Sequence, residues 1–351
     1  MNILLKTKYL KSPSTVLNLA RLEELNKLQG ISYTSNQGRY EDNDIILFMC
    51  YDSKEKEAKK ANPNSRVGII DPRPSTQIHW DCVDFVLVNG IESADYFYDR
   101  CPNIFIYEIY PPLAIKTWSN QSINNQPFTI GYHGNKVHLE EINSRIGPSI
   151  TRLADERPVR LKCIYNFKDN GRWENRIDHP NVEIEEIPWS NSAYSELASC
   201  HVGIIPNLIA TQAEERPQES LHPSDYLFAF KATSNMGRAF PFIMQGVPII
   251  ADMFPSATQL IKDGHDGYVA YSEAAWYYKL KTLAEQPETC QLFAERMQQK
   301  YHDFYSANVQ NNKLIHFVKN ELVEHRYSPS SYISDSQPSK SSFFSKLFHR
   351  K

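Results

Sequence analysis

The 351-residue chain has no apolar run approaching the ~18 residues that a membrane-spanning helix needs. Nor does it carry an excess of positive charge: 38 Lys and Arg stand against 41 Asp and Glu, a formal net charge of −3. That balance argues against a broad nucleic-acid-binding face, which needs clustered cations, but leaves room for a local anion pocket. Its six cysteines include no C-x-x-C pair, so neither a zinc site nor a disulfide framework is suggested, and they read as reduced core thiols. The eleven histidines form no H-x-x-x-H pair, which leaves metal chemistry without support. No G-x-G-x-x-G follows the first strand, Ile3–Leu5, against the expectation for a dinucleotide-dependent dehydrogenase. There is no repeat of short fixed period. The chain opens on a strand-like segment, without the basic-then-apolar pattern of a signal peptide, so a cytoplasmic protein is expected.

What is present is the composition of an ordinary globular protein, 41% hydrophobic and 23% charged. Its length exceeds the ~250–300 residues at which single cores stop growing, so two domains are expected. Apolar strand candidates alternate with charged helical stretches, the pattern of a parallel sheet covered by helices. In the first part these strands are Ile3–Leu5, Ile45–Cys50, Val67–Ile70, Phe85–Val88 and Ile104–Ile109, with helices at Ser53–Ala61 and Glu92–Arg100. A Pro-, Asn- and Gln-rich stretch follows and reads as a connection. A second series comprises Phe128–Tyr132, Leu161–Tyr165, Val182–Ile187, Val202–Ile205, Pro248–Ala251 and Tyr268–Ala270. The division is therefore a first doubly wound domain over 1–115, a linker over 116–127, a second such domain over 128–285, C-terminal helices over 286–325 and a Ser/Pro-rich tail over 326–351. Phe343, Phe344, Leu347 and Phe348 share one face of a helix in that tail, with cations around them. This suits either shallow contact with an anionic membrane surface through 341–351 or docking to a partner.

Ligands of open parallel sheets lie beyond the C-terminal strand ends, which singles out the residues there. Gly134, Asn135 and Lys136 form a small turn where backbone can approach a phosphate and Lys136 supplies charge, although a purely structural turn fits as well. The segment Lys231–Arg238 precedes an apolar helix. Ser234 or Asn235 is expected to cap that helix, Gly237 to remove bulk at its first turn, and Lys231 and Arg238 to flank its free N–H groups with cations suited to a diphosphate. Pro188 with Trp189, and Pro206 with Asn207, follow two further strands. Trp189 is suited to stack on a base or to pack in the core.

Gly246-Val247-Pro248-Ile249-Ile250-Ala251, followed by Leu260-Ile261-Lys262-Asp263-Gly264-His265-Asp266-Gly267-Tyr268, resembles the C-terminal-domain signature of GT-B glycosyltransferases, especially the retaining family-4 type. In that family a G-x-P-hydrophobic strand follows the nucleotide-sugar helix and an x-I-x-D-G-x-x-G hairpin closes the domain. The resemblance implies an α/β fold of GT-B architecture, two Rossmann-like doubly wound domains facing a cleft. It implies a retaining, hexosyltransferase-like enzyme that moves a sugar from a nucleotide diphosphate sugar to a glycan or lipid-linked acceptor, in cell-surface polysaccharide or glycoconjugate synthesis, without metal or other cofactor. Peripheral attachment at the inner face of the membrane would fit such a role. Pro188, Trp189, Pro206 and Asn207 fall where the family grips base and ribose. Asp71 and Arg73, after Val67–Ile70, fall where it touches the transferred sugar, and His79 and Trp80 fall on the acceptor side, a plain loop turn being the other reading of each pair. The sequence departs from the family at its paired glutamates, E-x7-E, whose positions hold Thr233 and Pro241, while Arg238 stands where related transferases place a basic residue. The missing carboxylates keep open a non-catalytic nucleotide- or glycan-binding protein on this fold, and a sugar-nucleotide epimerase is the other alternative. Asp42-Asn43-Asp44 resembles a D-x-D metal motif but precedes its strand, at the edge away from ligands. The long loop Leu208–Tyr226 reads as a lid that could carry His222 or Asp225 to the ligand.

Overall fold

The computed structural model describes residues 1–10, 12–108, 110–118, 127–210 and 228–323. Its first sheet contains β1 (Asn2–Lys6), β2 (Ser32–Ser35), β3 (Ile45–Met49), β4 (Arg66–Ile70), β5 (Phe85–Val88) and β6 (Ile104–Ile106). They run parallel in the order β2-β1-β3-β4-β5-β6. Every residue of β3 and β5 is buried, as expected where helices cover both faces of a parallel sheet. Strand β2 escapes the sequence pattern because it is an edge strand, Ser-Tyr-Thr-Ser, of which only Tyr33 is buried. The helices beside this sheet are α1 (Pro13–Glu23), α2 (Glu55–Ala61) and α3 (Ile91–Phe97). Strand β6 stops at Ile106, short of the expected Ile109, which lies outside the described residues.

The second sheet begins with β7 (Phe128–His133), β8 (Val159–Tyr165), β9 (Val182–Pro188) and β10 (Val202–Ile205). A two-residue antiparallel ribbon of β11 (Ile209–Ala210) and β12 (Phe228–Ala229) comes next, then β13 (Ile249–Asp252) and β14 (Tyr268–Ala270). The six long strands are parallel, in the order β14-β13-β10-β7-β8-β9. Around them lie α4 (Lys136–Glu140), α5 (Ile142–Arg145), α6 (Gly147–Ala154), α7 (Phe167–Asn170), α8 (Ala239–Met244), α9 (Pro255–Leu260) and α10 (Glu273–Glu285), followed by α11 (Pro287–Lys300) and α12 (Ala307–Asn320). One expected feature differs. Asp263–Gly267 is a tight turn rather than a hairpin, because β14 lies parallel to β13. Gly264 (φ +72°) donates to the Gly267 carbonyl at 2.9 Å, and Asp263 accepts from the Val269 N–H.

The C-terminal helices tie the two domains together. A five-residue π-turn, Tyr301–Tyr305, separates α11 from α12, and α12 returns to the first domain. There Leu314, Phe317 and Val318 join Ile3, Leu5, Leu47 and Phe85 in one core, each burial stabilising by about 1.5–3 kcal/mol. The C-terminal strand edges of the two sheets meet. Ser93 Oγ, just beyond β5, donates to the Ala232 carbonyl at 2.8 Å, and the Glu92 carboxylate accepts from the Ser256 N–H at 2.8 Å. The candidate residues His222 and Asp225, most of the linker and the amphipathic tail lie outside the described residues.

Candidate functional site

A cavity of about 340 Å³ opens at this meeting of edges. Leu17 of α1 and the connecting residues Tyr110 and Pro111 line one side of it. The other side is built by His133–Lys136, Asn166, Asn170, Trp189, Tyr194, Asn235, Gly237, Arg238 and Pro241. No Asp or Glu is among these residues. A second cavity, about 440 Å³, lies on the first domain around Lys6–Lys8, Asn36 and Arg39–Glu41. Its cations are largely engaged: Lys6 donates to the Asn36 carbonyl, Arg39 pairs with Asp42 and Lys54 with Glu57.

Of the two cations that line the first cavity, Lys136 pairs with Glu140, whereas Arg238 is not neutralised in this way, and neither is Lys231, which stands near Arg238 outside the lining. Arg238 uses Nη2 to donate to the Pro206 carbonyl at 2.7 Å and to Asn207 Oδ1 at 3.1 Å, while its Nη1, shielded from bulk water, has no hydrogen-bond partner among the described residues. Neither Arg238 nor Lys231 forms an ion pair among the described residues, and burial holds both side chains below their ordinary pKa values, each cation lowering Lys231 or His138 further. His138 is pushed down to about 2, first by burial and then by Arg238, Lys231 and Arg145. Such a cluster, half-buried and without an ion-paired carboxylate among the described residues, is a site for a polyanion.

The backbone explains how the cluster is built. Gly134 follows β7 with φ +144°, and a Cβ there would lie 2.9 Å from both Arg238 Cδ and Tyr132 Oη, so only glycine lets the arginine stem pass. His133, the last residue of β7, is buried and held neutral, its pKa lowered by burial to about 3. Because a carbonyl can only accept, the 2.7 Å contact between His133 Nε2 and the Arg238 carbonyl places the proton on Nε2 and leaves Nδ1 as an acceptor. Asn135 caps α4 by accepting from the Val137 N–H at 3.1 Å. Lys136 lines the cavity but leans on Glu140 (3.4 Å). Trp189 also lines it, its Nε1 donating to Tyr194 Oη at 3.0 Å, with Tyr194 edge-on to His133. Pro188 is the last residue of β9.

Three expectations change. Ser234 does not cap the following helix: its Oγ accepts from the Lys231 N–H, and Asn235 Oδ1 accepts from the Gly237 N–H in a local turn. Helix α8 starts only at Ala239, because Pro241 has no N–H to give the Gly237 carbonyl. At six residues it contributes little dipole, so the site's charge comes from Arg238 and Lys231. Pro206 and Asn207 sit behind Arg238 and orient it rather than facing the cavity. The sequence reading also missed a support beneath them, the buried Arg145–Asp252 pair (2.6 and 2.7 Å). Its carboxylate accepts from the Asn207 and Leu208 N–H groups. The signal was available, since Asp252 closes a strand at its ligand edge.

On the first domain, Asp71 follows β4 with φ +52°, a strained value for a non-glycine residue. Its carboxylate accepts from Asn89 Nδ2 (2.8 Å), Ser14 Oγ (3.2 Å) and Arg73. Burial raises its pKa although the Arg73 guanidinium pulls it down. Neither Asp71 nor Arg73 lines the cavity, and His79 and Trp80 lie apart from it too. His79 rests on Glu55 (2.8 Å), and Trp80 packs against Phe97. Asp42 and Asp44 are engaged by Arg39 and by the Asn2 N–H, before β3.

Two six-stranded parallel sheets meeting at their C-terminal edges, with a terminal helix crossing back, define a GT-B fold. No protein-family model and no curated protein matches the chain. Among solved structures it is similar to Anabaena Alr3699/HepE in complex with UDP, at 10% identity over 91% of this chain and 99% of that one, with a TM-score of 0.57. A glycosyltransferase from Rickettsia africae ESF-5 is similar at 11% identity, 91% and 99% coverage and a TM-score of 0.57. The apo lipopolysaccharide outer core galactosyltransferase WaaB is similar at 11% identity, 92% and 100% coverage and a TM-score of 0.55.

Proposed function

We propose that the chain transfers a sugar from a nucleoside diphosphate sugar to a glycan or lipid-linked acceptor, with retention at the anomeric carbon, in the synthesis of a surface polysaccharide or glycoconjugate. The observation that carries this reading is the pair of half-buried cations Arg238, which lines the 340 Å³ cavity, and Lys231 near it, neither in an ion pair among the described residues. A departing nucleoside diphosphate gains negative charge, and fixed cations in a water-poor site stabilise it without reorganisation. The two cations supply charge that other transferases take from a metal. Trp189 stacks on the base at the far end, and neutral His133 offers Nδ1 to a ribose or sugar hydroxyl. UDP is the favoured nucleotide, since Alr3699/HepE was solved with UDP and with UDP-glucose. The acceptor enters from the first domain, and the tail segment 341–351 meets an anionic membrane surface on the cytoplasmic side.

A second reading has a specific observation behind it. Among the described residues no carboxylate lines the cavity, and Thr233 and Pro241 occupy the family's glutamate positions, which favours a protein that binds the nucleotide without transferring a sugar. Release of UDP from a panel of UDP-sugars, with and without simple glycoside acceptors, separates the two. Turnover abolished by Arg238→Met supports transfer, whereas tight UDP binding with no release from any donor supports the binding protein.

A further inference from the structure

The donor loop is held from the opposite domain. Gly90, Glu92 and Ser93 follow β5 of the first sheet, while Ala232, Ser234 and Ser256 belong to the second domain. Ser93 Oγ donates to the Ala232 carbonyl at 2.8 Å. Glu92, only 5% exposed, accepts from both the N–H and the hydroxyl of Ser256 and so caps α9. Gly90 packs so closely that a Cβ would lie 2.7 Å from the Ser234 carbonyl oxygen and 2.7 Å from Ser256 Oγ. The Ser93 and Gly90 contacts grip the segment between Lys231 and Arg238, in which Ser234 Oγ accepts from the Lys231 N–H at 3.1 Å, while Glu92 fixes the adjoining α9, whose Ser256 packs on the same Gly90. On the first-domain side the grip continues through Asn89, whose Nδ2 donates to Asp71.

We propose that Gly90, Glu92 and Ser93 are positioning residues for the diphosphate site, so that the Lys231–Arg238 segment takes its binding geometry only when the first domain is docked on it. This rests on the reading of that segment as the diphosphate site. The physical basis is linkage: a nucleotide that binds only the docked arrangement must itself supply whatever docking free energy a variant loses. Loss of the neutral hydrogen bond at Ser93, loss of the charge-assisted one at Glu92 and a Cβ clash at Gly90 each cost about the 1.4 kcal/mol that weakens binding tenfold.

The test is calorimetric titration of the full chain with UDP and with inorganic pyrophosphate, for wild type, Ser93→Ala, Glu92→Gln and Gly90→Ala. A control, Asn103→Ala, removes a tie to the C-terminal segment (Asn103 Nδ2 to the Val323 carbonyl, 2.8 Å) far from the loop. Melting temperatures are recorded for all five proteins. The expected result is a roughly tenfold loss of affinity for both ligands in the three variants of the docking contacts, and affinity within twofold of wild type in the control even where its melting temperature falls. If any of the three fails to fold, Ser93→Thr and Glu92→Asp stand in, with partial recovery of affinity expected. Wild-type binding that persists unchanged in the variants, or an equal loss in the control, overturns the proposal. Absence of binding by wild type would instead overturn the diphosphate reading beneath it.

Discussion

Replacing Arg238 by Met keeps the length and apolar stem of the side chain while removing its charge. In the free protein the change acts in two directions. It relieves the cost of a half-buried cation with no ion-pair partner among the described residues, and it leaves the Pro206 carbonyl and Asn207 Oδ1 without their donor. Each effect is of order 1–3 kcal/mol, so the melting temperature should move little. The liganded protein has no such cancellation. A charge-assisted hydrogen bond to a phosphate is worth about 1.5–3 kcal/mol, and at 1.4 kcal/mol per decade its loss weakens UDP binding by about ten- to a hundredfold. Uridine, which has no phosphate, should bind both proteins alike. Arg238→Lys keeps the charge but loses the planar fork that reaches Pro206 and Asn207, and should fall between them. Isothermal titration of the three proteins with UDP and uridine gives the answer. Equal UDP affinity in wild type and Arg238→Met would refute the assignment, and an equal loss for UDP and uridine would mean that the substitution had merely damaged the cavity.

Acid should destabilise the fold through its buried histidines. His133 is lowered from 6.5 to about 3, so the stability from keeping it neutral is fully present above pH 6.5 and is lost as pH falls toward 3. Urea unfolding at pH 5.5 and 4.5 should differ by about 1.4 kcal/mol from this group alone, a slope that His133→Phe should lessen. Glu108 acts in the opposite sense: burial raises it from 4.5 to about 8 against the pull of Arg21, so it favours the fold below pH 4.5 and the benefit is lost as pH rises through 8. Glu108→Gln, neutral throughout, should match wild type near pH 5 and exceed it near pH 9 by on the order of 2–4 kcal/mol, read from denaturant midpoints. Trp189→Ala should weaken uridine and UDP together by roughly tenfold, because stacking on a base contributes about 1–3 kcal/mol, and should remove UDP-dependent quenching of tryptophan fluorescence.

The architecture was legible because parallel strands buried on both faces write themselves as continuous apolar runs. Phe85–Val88, Val202–Ile205 and Tyr268–Ala270 were read with their observed bounds. Ser32–Ser35 was not, since an edge strand with one buried side chain has no such run. The cationic segment Lys231–Arg238 and the turn at Gly134 could be read because charge and missing side chains are local signals. What escaped depends on groups far apart in sequence. Ser234 turns back to Lys231 instead of capping, Pro206 and Asn207 serve Arg238, and Arg145 reaches Asp252 across 107 positions. His133 also ends a strand, but in the sequence the glycine beside it is the stronger local signal. No periodicity shows that Glu92 would cap a helix of the other domain 164 positions away.

The central claim is that the cavity beside Arg238 and Lys231 receives a nucleoside diphosphate. Thermal melting of the full chain with UDP, GDP, ADP and uridine tests it most directly, because a ligand at a hundred times its Kd adds about 2.7 kcal/mol to the stability of the native state. One diphosphate, UDP by the present reading, should raise the melting temperature by several degrees, with uridine giving a smaller rise and Arg238→Met losing the difference. No rise with any of the three diphosphates at millimolar concentration would contradict it.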